Sequence, residues 1–173
     1  MNPIIRLRRD LFDLMLKDFE RPHNFAYERV GFLYGRLVLA GSLLVVLPTE
    51  YRPVPDEQYR KDDSVGAMID EDALFEAHNR TSLTGLCCLH VHSHGGRGRT
   101  WFSRTDLKTL RAIGPSLQRL ARQSAHGGLV LTNTSGASLL WLPNQATPTR
   151  GDVSIVGFPM SINRGKSYEE PSF

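Results

Sequence analysis

The chain has 173 residues and a mass of 19.4 kDa, a size at which a single hydrophobic core commonly serves the whole chain. Apolar residues make up 40% and charged residues 23%, which excludes the disordered and fibrous classes. The formal net charge is only +3, although the sequence pI is about 9.1. Charge alone therefore does not predict nucleic-acid binding, and we expect one globular domain over residues 1–173.

Cysteine usage and hydropathy predict a cytoplasmic protein that does not cross a membrane. Cys87 and Cys88 are adjacent, so a disulfide between them would be strained, and reduced thiols are expected. The longest apolar run, residues 37–48, is interrupted at Gly41 and is too short to span a bilayer. The first ten residues lack the apolar core of an export signal.

Hydrophobic periodicity predicts alternating helices and strands. Leu11, Leu14 and Phe19 share one face of the first predicted helix, and Pro22 follows its end. The predicted elements are a helix over 10–19, strands over 28–39 and 43–51, a helix over 70–79, a strand over 83–94, a helix from 103, and strands over 128–132 and 137–142. We interpret residues 52–63 as an exposed loop. This order predicts an α/β fold in which a mixed sheet is flanked by helices on both sides.

Three histidines alternate at the end of the predicted strand over 83–94. His90, His92 and His94 would lie on one face, roughly 6.6 Å apart along the backbone at the rise of a strand. Two imidazoles at that spacing can converge on one metal ion. The alternative interpretation is a polar strand end whose histidines bond to loops. Three histidines in five residues, beside a glycine-rich segment, favour the metal site.

A third metal ligand is expected at the start of the helix that follows. Asp106 falls in its first turn, three residues after Ser103. The same spacing is typical of a capping box, in which both side chains bond to the backbone of the first turn. The two roles are partly compatible, but one aspartate oxygen cannot serve a metal ion and the backbone equally well.

Other metal-binding frameworks with paired histidines are excluded by the sequence. A barrel amidohydrolase needs roughly 200 residues or more. A metallo-β-lactamase site needs an Asp-His pair directly after the second histidine, where this chain has Gly95 and Gly96. A cupin needs a glutamate a few residues after the histidines, and this chain has no acidic residue there before Asp106. A zinc deaminase needs a Cys-x-x-Cys motif, which the chain lacks.

Three separated segments together resemble one family. They are Glu28 followed by Gly31 and Gly35 at the predicted first strand, the His92-Ser93-His94 motif, and the segment 103–106. In this order they resemble the JAMM (MPN+, JAB-type) zinc metalloproteases. The resemblance implies a JAB/MPN fold related to cytidine deaminases, with a core from about 9 to 142 and a C-terminal tail over 143–173.

The match departs from the family pattern in two places. Gly95 replaces the proline that usually follows the second histidine, and residues 95–105 form a connection one residue longer than usual. A glycine-rich loop absorbs one residue easily, so we interpret this as an insertion. Pairing His90 with His92 would lengthen the connection further, so His92 and His94 fit better and His90 becomes a neighbouring residue.

The resemblance implies a role for each matched residue. His92, His94 and Asp106 would hold one Zn²⁺, with water as the fourth ligand. Glu28 would act as the general base and then protonate the departing amine. Ser103 would donate a hydrogen bond to the oxyanion. The alternative for Glu28 is a solvated charge at the start of a strand.

The resemblance also implies a substrate class. The family cleaves peptide or isopeptide bonds after the C-terminus of ubiquitin-like modifiers. In its small size, this chain is similar to the bacterial, deubiquitinase-like members of the family. Some of those act beside activating and conjugating enzymes, including antiphage defence systems. The alternatives are processing of a sulfur-carrier protein and a non-catalytic MPN-type scaffold. Arg97, Arg99 and Arg104 flank the expected site as solvated charges or as contacts for an acidic modifier.

Overall fold

The computed structural model describes residues 2–24, 26–157 and 161–163. Within those residues the chain forms three α-helices, a short 3-10 helix (Asp56–Gln58) and ten strands. The helices are α1 (Arg9–Phe19), α2 (Glu71–Thr84) and α3 (Arg104–Leu120). The strands are β1 (Ile4–Arg8), β2 (Val30–Ala40), β3 (Leu43–Pro53), β4 (Tyr59–Arg60), β5 (Met68–Ile69), β6 (Cys87–Ser93), β7 (His126–Leu131), β8 (Gly136–Trp141), β9 (Thr149–Val156) and β10 (Ser161–Asn163).

Eight strands form one mixed sheet in the order β1-β3-β2-β6-β7-β8-β9-β10. Strand β6 runs parallel to β7 and antiparallel to β2. Strand β1 also pairs in parallel with β9, from Ile4 opposite Asp152 to Arg8 opposite Val156. This pairing closes seven strands into a barrel. The predicted mixed α/β fold is confirmed, and the closure of the sheet is an addition that the sequence did not predict.

The barrel interior is the main hydrophobic core. All seven strands of the ring contribute buried apolar side chains to one cluster, and α1 adds Leu11, Phe12 and Met15. Each large side chain buried in this way contributes about 1.5–3 kcal/mol. Helix α1 is therefore the element that fills the inside of the curved sheet.

Helices α2 and α3 cover the outer face of the sheet. Ala77 of α2 and Leu117 of α3 pack in one cluster with Cys88 of β6. Gly114 allows α3 to approach β8, because a Cβ at this position would lie 2.3 Å from the Trp141 ring. Helices thus lie on both sides of the sheet, as predicted.

Three sequence predictions differ from the structure at particular residues. Residues 4–8 form β1, which we did not predict. Leu83 and Thr84 belong to the last turn of α2, which ends at Gly85 in the left-handed conformation (φ 65°) rather than leading into a strand. The expected exposed loop over 52–63 contains two buried residues, Val54 and Tyr59, because the 3-10 helix and β4 fold it against the sheet.

Both cysteines are free thiols and buried, as expected. Burial raises the pKa of Cys87 to about 11 and that of Cys88 to about 12, so neither thiol ionises readily near neutral pH. Among the described residues, no helix combines the length and apolar character that a bilayer crossing requires.

Candidate metal centre

Strand β6 delivers the histidines to the outer face of the sheet. Cys87, Leu89 and Val91 point into the barrel core, so the intervening residues point the other way because side chains alternate. His92 is 2% exposed, while His94 follows the strand and is partly exposed. The two Nε2 atoms lie 3.1 Å apart. The end of β6 therefore presents two converging imidazole nitrogens.

Asp106 completes this group from the first turn of α3. Its Oδ2 lies 3.4 Å from Nε2 of His92 and 3.3 Å from Nε2 of His94. The same oxygen accepts a hydrogen bond from the Ser103 backbone N–H at 2.7 Å, and the Ser103 Oγ accepts from the Asp106 N–H at 3.1 Å. The predicted capping box is confirmed, and it aims the carboxylate at the histidines.

The three atoms form a triangle that suits a small divalent cation. A tetrahedral zinc ion bonded at about 2.0–2.1 Å requires its ligand atoms to be about 3.3–3.4 Å apart. The triangle from His92, His94 and Asp106 has edges of 3.1, 3.3 and 3.4 Å. Two imidazoles and one carboxylate are also a donor set that zinc commonly takes. The residues present fit the metal that the sequence predicts.

Hydrogen bonding at Nδ1 of His94, the ring nitrogen directed away from the triangle, supports this arrangement. Nδ1 of His94 lies 3.3 Å from Oγ1 of Thr100. A proton on Nδ1 would leave the lone pair of Nε2 directed at the triangle, as in metal-bound histidines generally. Nδ1 of His92 is buried and has no hydrogen-bond partner among the described residues.

The ionisation state of Asp106 agrees with a ligand role. Burial alone would raise the pKa of this carboxyl. The hydrogen bond and the electrostatic attraction from His92 outweigh this effect, with help from the hydrogen bonds at Ser103, and they hold the pKa of Asp106 well below its usual range. A carboxylate that stays ionised can bind a cation without first losing a proton.

His90 borders the triangle on the side of β2. Its ring packs edge-on against Phe32 with centroids 5.7 Å apart and lies 5.8 Å from the His92 ring. Burial, with a smaller effect of His92, lowers the pKa of His90 to about 3. His90 is therefore a neutral ring beside the triangle, and the spacing of the motif had suggested only its neighbouring position.

Glu28 approaches the same group from the segment before β2. Its carboxylate and the ligand nitrogens of His92 and His94 all lie within 4.8 Å of one another. These three residues could bind a metal ion by themselves. We assign the ligand role to Asp106 instead, because one of its oxygens is nearly equidistant from both imidazoles. Glu28 is then the second carboxylate, beside the ion site.

A loop between β4 and β5 fixes the position of Glu28. The Gly66 carbonyl accepts hydrogen bonds from the backbone N–H groups of Tyr27 and Glu28 at 2.8 and 2.9 Å. The Cα of Gly66 also lies against the Glu28 carboxylate, since a Cβ there would be 2.5 Å from Oε2. A larger residue at this position would displace the end of the Glu28 side chain, and no feature of the sequence had indicated this contact.

Arg29 anchors the same segment from within the protein. Its side chain is 2% exposed and pairs with Asp56 at 2.7 Å. It also donates to the carbonyls of Arg21 and Pro22. The hydrogen bond that Arg29 donates to Asp56 outweighs the effect of burial and raises the pKa of Arg29 above its ordinary value. The segment before β2 is therefore fixed at Tyr27 and Glu28 by the Gly66 carbonyl and at Arg29 by Asp56.

The site opens into a cleft of about 450 Å³ between the β4–β5 loop and α3. One wall consists of residues 63–69, and the other includes Ser103, Thr105 and Thr109. Ser103 is exposed, and since its Oγ accepts the capping bond, the hydroxyl proton remains available to a ligand. An extended chain could lie in this cleft with the histidines at its floor.

All five residues predicted for the site line this cleft, although they come from three separate segments of the chain. The structure brings together Glu28, His92, His94, Ser103 and Asp106. Thr100 and Gly66, which support them, were not predicted. No protein-family model matches the chain, and a search of curated proteins found no similar sequence.

Proposed function

We propose that the protein is a zinc-dependent peptidase or isopeptidase that cleaves after the C-terminus of a ubiquitin-like modifier. The observation that carries the proposal is the triangle of His92, His94 and Asp106 with a further carboxylate, Glu28, beside it. Structural metal sites use all their ligands to close the coordination sphere, whereas hydrolytic sites leave a position open. The resemblance to the JAMM metalloproteases supports the same assignment of roles.

Zinc would supply Lewis-acid chemistry, lowering the pKa of water to about 7 and polarising a carbonyl group. His92, His94 and Asp106 would hold the ion through two Nε2 atoms and Oδ2. Asp106 would remain fixed by the capping box. The coordination position without a protein ligand would then face the cleft.

Glu28 would move the proton. Its carboxylate lies beside the histidines and in contact with Gly66, so it can take a proton from water on one side of the scissile carbonyl and return it to the departing amine. Ser103 would donate its free hydroxyl proton to the developing oxyanion, a contribution of about 3 kcal/mol when the donor is well aimed.

The cleft suits an extended peptide tail. Its walls are a glycine-containing loop and the start of a helix, and both offer backbone or hydroxyl groups for hydrogen bonds. A modifier that ends in glycines presents a narrow chain that can reach the floor of such a cleft. Main-chain hydrogen bonds would then provide affinity with little side-chain discrimination.

The proposal is tested by cleavage of a ubiquitin-like protein fused through its C-terminal glycine to a reporter. We expect zinc-dependent cleavage that a chelator abolishes and added zinc restores. Glu28→Gln should lower kcat/KM by about 10²–10⁴-fold, the range for loss of a general base, while zinc content stays unchanged.

Glu20→Gln is the matched control, because this glutamate is exposed and lies outside the cleft. It should cleave like the unmodified protein. Cleavage by Glu28→Gln at the unmodified rate would overturn the assigned base. Zinc-loaded protein that cleaves no fusion, across modifiers ending in glycine, would overturn the proposed activity.

A further inference from the structure

The cleft extends along α3 beyond the triangle of possible metal ligands. Thr105, Thr109 and Ile113 all line it, and they share one face of the helix because they are four residues apart. At the rise of an α-helix, Ile113 lies about 10 Å further along the axis than Asp106. Ile113 packs in one cluster with Cys88, so α3 runs back along β6 from the end of that strand. The cleft therefore has an inner part that the triangle does not occupy.

Apolar side chains from three separate elements wall this inner part. Val30 of β2, Leu74 of α2 and Ile113 of α3 line the cleft. Val30 and Ile113 belong to one hydrophobic cluster on the outer face of the sheet, and Leu74 packs against that cluster. Val30 also lies opposite His92 in the pairing of β2 with β6. The apolar wall thus begins directly beside the triangle.

His90 contributes a polar group to the inner part of the cleft. It lines the cleft and is only partly buried. Its ring nitrogens make no hydrogen bond to any described residue, and neither is among the buried polar atoms that lack a partner. The nitrogens are therefore open to the cleft. Because the ring packs edge-on against Phe32, its orientation is fixed, and it offers one hydrogen-bond donor and one acceptor.

Thr109 provides a second polar group with unused hydrogen-bonding capacity. It is partly buried, lines the cleft and lies one turn before Ile113. Thr81 and Thr84 of α2 donate their hydroxyl protons to carbonyls four residues earlier. The Thr109 hydroxyl makes no such bond within the part of the chain that the structure describes. Mainly apolar walls with a few polar groups are typical of ligand-binding pockets.

We propose that this inner subsite, formed by Val30, Leu74, His90, Thr109 and Ile113, binds one uncharged and mainly apolar side chain of the substrate, with a hydrogen bond to His90. This rests on the proposed function, because the side chain belongs to the polypeptide that is cleaved at the triangle. The rings of His90 and His92 are 5.8 Å apart, and an extended chain advances about 3.3 Å per residue. The bound side chain therefore lies within about two residues of the scissile bond.

The distribution of charge in the cleft disfavours a charged side chain in the inner subsite. The carboxylates that line the cleft are Glu28, Asp63 and Asp106, and none of them belongs to the subsite. No lysine or arginine is found among the described residues that line the cleft. A charged side chain in the subsite would therefore be removed from water without a partner of opposite charge, which is costly.

The test is titration of the zinc-free protein with p-cresol and toluene, which are analogues of uncharged side chains. The methyl signals of Ile113 and Leu74 are followed by NMR, and we expect saturable shifts of both. Butyrate and n-butylamine, as charged analogues, should bind at least about tenfold more weakly. Because the assay needs neither zinc nor catalysis, its result is independent of peptidase activity.

Three variants locate the binding within the cleft. His90→Phe keeps an aromatic ring but removes both nitrogens, so the affinity for p-cresol relative to toluene should fall at least about fivefold, as expected for one lost hydrogen bond. Thr109→Phe should fill the subsite and weaken both probes at least about tenfold. Thr105→Phe is the matched control, since it lies on the same helix face one turn nearer the triangle. It should change both affinities by less than about twofold.

Absence of shifts at Ile113 and Leu74, or binding of the charged analogues as tight as that of p-cresol, would overturn the proposal. Equal effects of Thr109→Phe and Thr105→Phe, or an unchanged affinity ratio in His90→Phe, would also overturn it. If Thr109→Phe does not fold, Thr109→Leu and Thr105→Leu supply the comparison. Binding of p-cresol by a protein that cleaves no fusion would support the subsite and contradict only the proposed peptidase activity.

Discussion

At the scale of single residues, Asp106 caps a helix and is also the carboxylate that we propose as a metal ligand. Its Oδ2 caps α3 through the Ser103 N–H and also lies 3.3–3.4 Å from both histidine nitrogens. The cap holds the carboxylate in place before any metal binds. One rotamer of this side chain thus caps the helix and would also serve the proposed metal site.

Replacing the carboxylate by an amide separates these functions. In Asp106→Asn the side-chain oxygen can still accept from Ser103, so we expect the metal-free protein to lose about 1 kcal/mol of unfolding free energy or less. The loss of charge should lower zinc affinity by at least about 100-fold, the upper range for changes that only support a metal ligand. Urea unfolding and zinc titration provide the two readouts.

Ser103→Ala is the comparison for this variant. It removes the capping hydroxyl and should cost about 1 kcal/mol while leaving the ligand atoms intact. If Asp106→Asn binds zinc as tightly as the unmodified protein, Asp106 is not a ligand.

At the scale of elements, the β4–β5 loop positions Glu28, which precedes β2. Gly66 accepts two backbone hydrogen bonds from this segment and lies in contact with the carboxylate. Gly66 does not have a positive φ, so alanine meets no backbone strain there. The added methyl group would instead displace the end of the Glu28 side chain.

We therefore expect Gly66→Ala to lower kcat by about 100-fold, as misplacement of a catalytic group by about 1 Å can do. Its thermal midpoint and zinc content should stay close to those of the unmodified protein. Gly41→Ala is the reciprocal control, because its φ of +62° disfavours alanine while a Cβ there has open space. It should lose stability and keep activity. Full activity in Gly66→Ala would show that the loop does not position the base.

Local patterns account for the parts of the site that the sequence predicted. The alternation of His90, His92 and His94 depends only on the geometry of one strand, and the pairing of Ser103 with Asp106 depends on one helical turn. The contact of Gly66 with Glu28 joins segments that are far apart in sequence, and no local pattern encodes it. The same holds for the pairing of β1 with β9, which closes the barrel.

At the scale of the whole molecule, the closed sheet buries a titratable residue that does not line the cleft. His126 is 0% exposed at the start of β7. Its Nδ1 accepts from the Cys88 N–H at 3.2 Å, and its Nε2 lies 3.0 Å from the Ala121 carbonyl. The fold therefore requires the neutral ring with its proton on Nε2. Burial lowers the pKa of His126, although the bond to Ala121 opposes this, and His78 lowers it slightly further.

This environment predicts acid sensitivity of the fold. The unfolded chain takes up a proton on this ring near pH 6.5, whereas the folded protein resists it. The stability from His126 is therefore complete above that pH and falls as the pH is lowered towards the depressed pKa of the folded state. Urea midpoints of zinc-free protein between pH 5 and 7 should fall with acid, and less steeply in His126→Asn. Equal slopes would exclude His126 as a source of the effect.

The central claim is that His92, His94 and Asp106 hold one divalent metal ion at the floor of the cleft. Calorimetric titration of the metal-free protein with zinc tests it most directly. We predict one ion per chain, with binding abolished in His94→Ala and retained in His90→Ala. Absence of zinc binding by the unmodified protein, or unchanged binding by His94→Ala, would contradict the claim.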